Sequence, residues 1–175
     1  MLVEKRINEA KSNVRMYLND GLLKKEEFKS IVYETYVRNY HESLELAENI
    51  FKEKRSDLWV VVISYYSMFY IANAVLYKIG YKVGDKIAHK VTSDSIIMFI
   101  RDKIKENILS EYEIAAEEAL SISDNLLESF DFERSKRSRF QYESTEQIKN
   151  SMAKTSLERA RKFCFEMEKL LREKK

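Results

Sequence analysis

The sequence predicts an all-α fold, an antiparallel up-and-down bundle of about five to six helices, and two observations indicate it. The chain holds no proline and only three glycines, whereas sheet-rich domains use both residue types in their many tight turns. Its apolar residues also recur every three or four positions over long stretches, which is the spacing of one helix face. Amphipathic helices with short connections can bury these faces only against one another, so a bundle follows.

Turn and capping signals divide the chain into helical segments. Asn19-Asp20-Gly21 forms a turn signal after the first segment, and Ser56 supplies an N-cap for a central segment that Gly80 closes. Residues 81–85 are predicted to form a loop. The sequence leaves open whether a new helix begins at residues 92–94. The predicted helices cover residues 3–18, 25–54, 58–79, 86–103, 110–132 and 144–173.

Length and hydrophobic content indicate how many domains the chain forms. A chain of 175 residues with 45% hydrophobic content is sufficient for one core. We therefore expect one helical domain over residues 1–175, in which residues 1–20 form an N-terminal helical extension.

The 31 basic and 29 acidic residues leave a formal net charge of +2. That balance does not favour a polyanion-binding tail, so any nucleic-acid surface would have to be a local patch.

The uncharged stretch of residues 58–77 has the length of a membrane span. Serine, tyrosine and asparagine side chains interrupt its apolarity, however, and a central helix that is buried by its neighbours explains the same pattern. The charges close to the N-terminus come too early for a signal peptide. We therefore expect a cytoplasmic protein that does not enter a membrane.

Cysteine and histidine offer little metal chemistry. Cys164 is the only cysteine, which excludes an internal disulfide and a cysteine-based zinc cluster, and its surroundings predict a buried helix position. The two histidines, His41 and His89, form neither a His-x-x-x-His nor a Glu-x-x-His pair. We expect a surface or packing role for His41 and a capping or packing role for His89. No metal site and no cofactor are predicted.

Two segments stand out as candidates for function. Residues 64–70 place three tyrosines and one phenylalanine within two helical turns, and their hydroxyl groups need partners wherever they are buried. Residues 133–142 hold four cations with aromatic residues beside them. Such a patch can bind phosphates while its aromatic rings stack on bases, or it can be a charged helix end. The candidate binding residues are Arg134, Lys136, Arg137, Arg139 and Tyr142.

Together these segments resemble the HEPN superfamily, and an archaeal branch of small HEPN proteins in particular. The resemblance covers roughly residues 30–170. The residues similar to its helix signature are Tyr65, Tyr66, Met68 and Phe69, followed by Ala72, Ala74, Leu76 and Gly80. The residues similar to its closing signature are Arg137 and Tyr142, followed by Glu158, Arg159, Ala160 and Phe163.

The resemblance implies a helical bundle that commonly forms a homodimer. In the active ribonucleases of that family, an arginine and a histidine with the spacing Arg-x(4–6)-His line a cleft between the two subunits. The histidine exchanges a proton and the arginine holds the phosphate. Here Arg137 matches the arginine, but Tyr142, Glu143 and Ser144 occupy the positions where the histidine would lie. A tyrosine with a pKa of about 10 is a poor base at neutral pH.

We therefore expect a non-catalytic module that binds RNA or a nucleotide, or that docks a protein. The resemblance implies a minimal nucleotidyltransferase as the companion, as in toxin–antitoxin pairs. One alternative is a metal-independent ribonuclease with an atypical Arg-x4-Tyr site at Arg137 and Tyr142. The other is a purely structural dimerisation module.

Overall fold

The computed structural model describes residues 4–135 and 150–173, with the backbone alone described at residues 106 and 125–135. These residues form six α-helices and two short strands, so the predicted all-α bundle is confirmed. The helices are α1 (Glu4–Asn19), α2 (Ser30–Lys52), α3 (Asp57–Lys78), α4 (Ala88–Ile100), α5 (Glu106–Ser135) and α6 (Asn150–Arg172). The strands are β1 (Leu23–Lys25) and β2 (Tyr81–Val83), and a 3₁₀ turn at Arg101–Lys103 follows α4.

Helix α3 lies at the centre of the bundle and packs against α2, α4, α5 and α6. Fourteen of its 22 residues are buried, which explains why its sequence is apolar on nearly every side. By length and composition alone this helix could cross a membrane, but 67% of its most apolar stretch is buried inside the protein. A central core helix accounts for the uncharged stretch.

Both ends of α3 carry the signals that the sequence predicts. The side chain of Ser56 accepts a hydrogen bond from the backbone N–H of Trp59 at 3.3 Å, and this satisfies one of the free donors at the helix start. At the other end Gly80 has a φ of 95°, a left-handed conformation that glycine adopts without steric cost. The helix therefore ends before Gly80, and β2 begins at the next residue.

The two strands are the main departure from the predicted elements. β1 and β2 pair antiparallel, with Leu23 opposite Val83 and Lys24 opposite Lys82. The loop predicted at residues 81–85 is therefore wrong for its first three residues, and the second helix begins at residue 30 instead of 25. A three-residue strand is too short to show the alternation that identifies strands in sequence.

Helix α1 packs against α4 through an ion pair whose carboxylate is fully buried. Arg6 Nη1 lies 2.6 Å from Asp94 Oδ1, and the Asp94 carboxylate also accepts hydrogen bonds from Tyr17 and Asn13. Because Asp94 is satisfied by α1, and Thr92 by a hydrogen bond with Asn73, these polar residues do not break the helix. No new helix start occurs at residues 92–94, and α4 continues through them.

Helix α6 packs on α3 and α5 and is held at its C-terminal end by a lysine of α3. The Lys78 ammonium donates to the backbone carbonyls of Leu170 and Leu171 at 3.2 and 2.6 Å, where the helix has no intrahelical donors left. In the middle of α6, Phe163 stacks on Tyr112 with ring centroids 4.9 Å apart. Cys164 is buried as predicted, and burial raises the pKa of its thiol to about 12.

Candidate functional site around His89

The candidate site contains the signature helix but not the basic run. Lys136, Arg137, Arg139 and Tyr142 lie outside the described residues, and Arg134 belongs to the part of α5 whose backbone alone is described. No contact of these five side chains is therefore described. The site that follows is built from α3 and α4.

The four signature residues of α3 divide between the core and the surface. Met68 and Tyr65 are buried, whereas Tyr66 and Phe69 are only partly buried. Residues four apart on a helix lie on the same face, which places Tyr65 and Phe69 side by side, with ring centroids 6.4 Å apart. Met68 thus fills the core, and the aromatic residues lead from the core to the surface.

His89, in the first turn of α4, lies against these aromatic rings. Its Nδ1 atom is 2.8 Å from the Tyr65 hydroxyl oxygen. Its ring centroid is 4.5 Å from that of Phe69 and 5.7 Å from that of Tyr66. A fully buried tyrosine, Tyr112, packs behind Tyr65 at 5.8 Å. The structure therefore brings His89 together with three of the four signature residues.

Burial favours the neutral forms of both members of the hydrogen bond. Burial lowers the pKa of the His89 imidazole, and burial raises the pKa of the Tyr65 hydroxyl. At neutral pH the tyrosine keeps its proton. Its O–H can donate to Nδ1, which places the imidazole proton on Nε2. Among the described residues no hydrogen bond engages Nε2, so in this tautomer Nε2–H is a donor without a partner in the protein.

The backbone just before His89 is strained. Ile87 has a φ of 46° and a ψ of 34°, the left-handed region that a β-branched residue rarely adopts. Such a conformation costs about 1–3 kcal/mol and persists only where the surroundings fix it. Here the Ile87 carbonyl accepts the first helical hydrogen bond, from the Val91 N–H at 3.0 Å. The strained residue thus sets the start of α4 at the position that directs His89 towards Tyr65.

The arrangement can offer a neutral imidazole beside aromatic rings, but not a metal site. An imidazole can donate or accept a hydrogen bond to a base or a phosphate, and it can transfer a proton near neutral pH. Among the side chains that the structure describes, those of residues 4–105, 107–124 and 150–173, no group of three histidines, cysteines, aspartates or glutamates is arranged to hold a metal ion. We expected His89 to pack or cap. Only the structure reveals Tyr65, 24 residues away, as its partner.

We expect the pKa of His89 in the folded protein to lie below 6.5, its value in an unfolded chain. Below pH 6.5 the unfolded chain then binds more protons than the folded one, so the free energy of unfolding falls as the pH drops. An NMR titration of the imidazole Cε1–H signal measures this pKa, and His41→Ala identifies the signal by removing the other histidine. A pKa at or above 6.5 in the folded protein would contradict the burial argument.

No protein-family model, curated protein or solved structure matches the chain. The arrangement of Tyr65, Phe69 and His89 is therefore interpreted from its own chemistry.

Proposed function

We propose that the chain is a HEPN-type module that binds RNA or a nucleotide without cleaving it. The observation that carries this proposal is the half-buried position of Tyr66, Phe69 and His89 in the candidate site. Aromatic rings can stack on bases, and a neutral imidazole can donate a hydrogen bond to a phosphate or a base. The basic run of residues 134–139 supplies the charge that phosphate binding needs.

The affinity of the chain for single-stranded RNA is expected to fall steeply with salt. Each phosphate contact adds about −0.7 to the slope of log K against log salt concentration for a single strand. Arg137→Ala should therefore weaken binding and reduce the magnitude of the slope by about 0.7. Fluorescence anisotropy with a labelled 12-nucleotide RNA measures both. Arg38→Ala is the matched control, because Arg38 is an exposed arginine on α2.

Two results would decide against this proposal. RNA binding that is undetectable at low salt would remove the binding function itself. Binding whose salt slope is the same for Arg137→Ala and Arg38→Ala would remove Arg137 from the contact surface.

The second candidate function is metal-independent RNA cleavage, and the hydrogen bond between Tyr65 and His89 favours it. In the tautomer in which Nδ1–H donates to the Tyr65 hydroxyl oxygen, Nε2 carries no proton and can accept one from a ribose 2′-hydroxyl. Incubation of the protein with RNA in the presence of a metal chelator tests this candidate. RNA that stays intact supports the non-catalytic proposal, whereas cleavage that is lost in both His89→Ala and Arg137→Ala supports a ribonuclease.

The proposal includes a homodimer and a companion protein in the cytoplasm. A minimal nucleotidyltransferase in a toxin–antitoxin-like system is the companion that the HEPN resemblance implies. Light scattering at micromolar concentration measures the oligomeric state. A dimer that binds neither RNA nor nucleotides would favour the third candidate, a purely structural dimerisation module.

A further inference from the structure

Phe28 is an exposed aromatic residue on a backbone that is held in place. Its side chain is 56% exposed, although a phenylalanine gains free energy from burial. The hydroxyl of Tyr77 donates to the carbonyl of Glu27 and accepts from the N–H of Lys29, both at 3.1 Å. These two bonds fix the chain on both sides of Phe28. The ring rests against Tyr77 and Tyr33 with centroids 5.8 and 5.5 Å away.

Strand β1, which lies just before Phe28 in sequence, pairs with β2 so that two lysines are directly opposite each other. Lys24 of β1 pairs with Lys82 of β2, and paired residues of an antiparallel ribbon project from the same face. Like charges in this position destabilise a sheet. Glu26 relieves part of the repulsion, because its carboxylate lies 3.3 Å from Lys82 Nζ and 3.6 Å from Lys29 Nζ.

The charge around Phe28 remains positive after these ion pairs are counted. Residues 22–29 and 81–86 contain five lysines and three carboxylates, a difference of +2. Within the part of the chain that the structure describes, no ion pair engages Lys24. An anion that binds beside Phe28 would therefore gain attraction and also relieve the repulsion between Lys24 and Lys82.

We propose that Phe28, Lys24, Lys29 and Lys82 form a contact surface for single-stranded RNA. A base stacks on the open side of the Phe28 ring, and the lysines contact the flanking phosphates. A single strand fits this surface better than a duplex does, because only unpaired bases offer a free face for stacking. The inference rests on the RNA binding proposed above and adds a strand preference and a second contact site, formed by residues other than those of the basic run.

The test compares variants of the full chain by fluorescence anisotropy with a labelled 12-nucleotide single-stranded RNA and with a 12-base-pair RNA duplex. Phe28→Ala should weaken binding of the single strand about tenfold, the effect of losing one stacked base. Phe165→Ala is the matched control, because Phe165 is an exposed phenylalanine (60%) on α6. It should leave the affinity unchanged.

A lysine pair gives an independent measurement that does not depend on the aromatic ring. The double variant Lys24→Gln, Lys82→Gln should reduce the magnitude of the salt slope by about 1.4, which corresponds to two phosphate contacts. The control Lys154→Gln, Lys162→Gln removes two exposed lysines of α6 and should leave the slope as it is. Circular dichroism of each variant verifies that the helices are retained.

The outcomes separate the two proposals. If the wild-type chain binds no RNA, the proposed function fails and this contact surface fails with it. A second outcome is that the wild-type chain binds RNA, Phe28→Ala has the same affinity as Phe165→Ala, and the two double lysine variants have the same salt slope. In that case the contact surface is wrong while the function stands. A duplex that binds as tightly as the single strand and is equally sensitive to Phe28→Ala would overturn the strand preference.

Discussion

Replacing Asp94 with alanine is expected to lower the free energy of unfolding by about 3 kcal/mol, near the lower end of the range for breaking a buried ion pair. The Asp94 side chain is completely buried. Its removal leaves the Tyr17 hydroxyl without its acceptor and takes one of two carboxylate partners from the Arg6 guanidinium. Glu113 still contacts Arg6 at 2.7 Å, which limits the loss. Urea unfolding followed by circular dichroism measures the change.

Asp102→Ala is the matched control for this change. Asp102 pairs with Arg101 at 3.2 Å, but its side chain is 84% exposed, and an exposed pair contributes about 0–1 kcal/mol. Equal destabilisation by the two substitutions would mean that α1 does not depend on Asp94 for its position. A larger loss for Asp94→Ala than for Asp102→Ala would establish Asp94, through its ion pair and its hydrogen bonds to α1, as a link between α1 and α4.

Phe163→Ala is expected to destabilise the protein by about 3–5 kcal/mol, the usual cost of removing a buried phenylalanine. Phe163 is 1% exposed and stacks on Tyr112, so the substitution leaves a cavity between α5 and α6. Phe165→Ala, two positions along the same helix, removes the same atoms from an exposed side chain. Thermal and urea unfolding of both variants give the difference.

The Phe163 and Phe165 pair tests which face of α6 is directed to the core. Both substitutions have the same effect on helix propensity, so a difference between them arises from what each ring contacts: Tyr112 and the core for Phe163, and the Lys169 ammonium at 4.3 Å for Phe165. Loss of stability in Phe165→Ala that matched or exceeded the loss in Phe163→Ala would mean that α6 is rotated about its axis relative to the structure.

The helices were predictable because their signals are local. Ser56 and Gly80 bracket α3 within two residues of the predicted bounds, since capping depends on neighbours in sequence. The short sheet was not predictable, because Lys24 and Lys82 are 58 residues apart in sequence and neither strand has a pattern of its own. For the same reason the sequence did not decide whether α4 continues through residues 92–94, because the partner of Asp94 is a residue of α1.

The candidate site was predictable only in part. The tyrosines of residues 64–70 indicated that hydroxyl groups would need partners, but nothing in the sequence identified His89 as the partner of Tyr65. Ile87 was equally hidden, because a β-branched residue gives no sign of a left-handed backbone. A partner that lies far away in sequence, and a strain imposed by packing, appear only once the fold is known.

The contact between Lys78 and the end of α6 joins two segments that the ribosome makes at different times. Lys78 and its carbonyl partner at Leu170 are 92 residues apart, and a ribosome adds about 5–20 residues per second. The apolar helix α3 therefore leaves the ribosome roughly 5–18 seconds before its α6 cover has been synthesised, at that elongation rate. During that interval the nascent chain exposes the surface that α6 will cover, which makes this stage of synthesis the time when chaperones or aggregation can act on it.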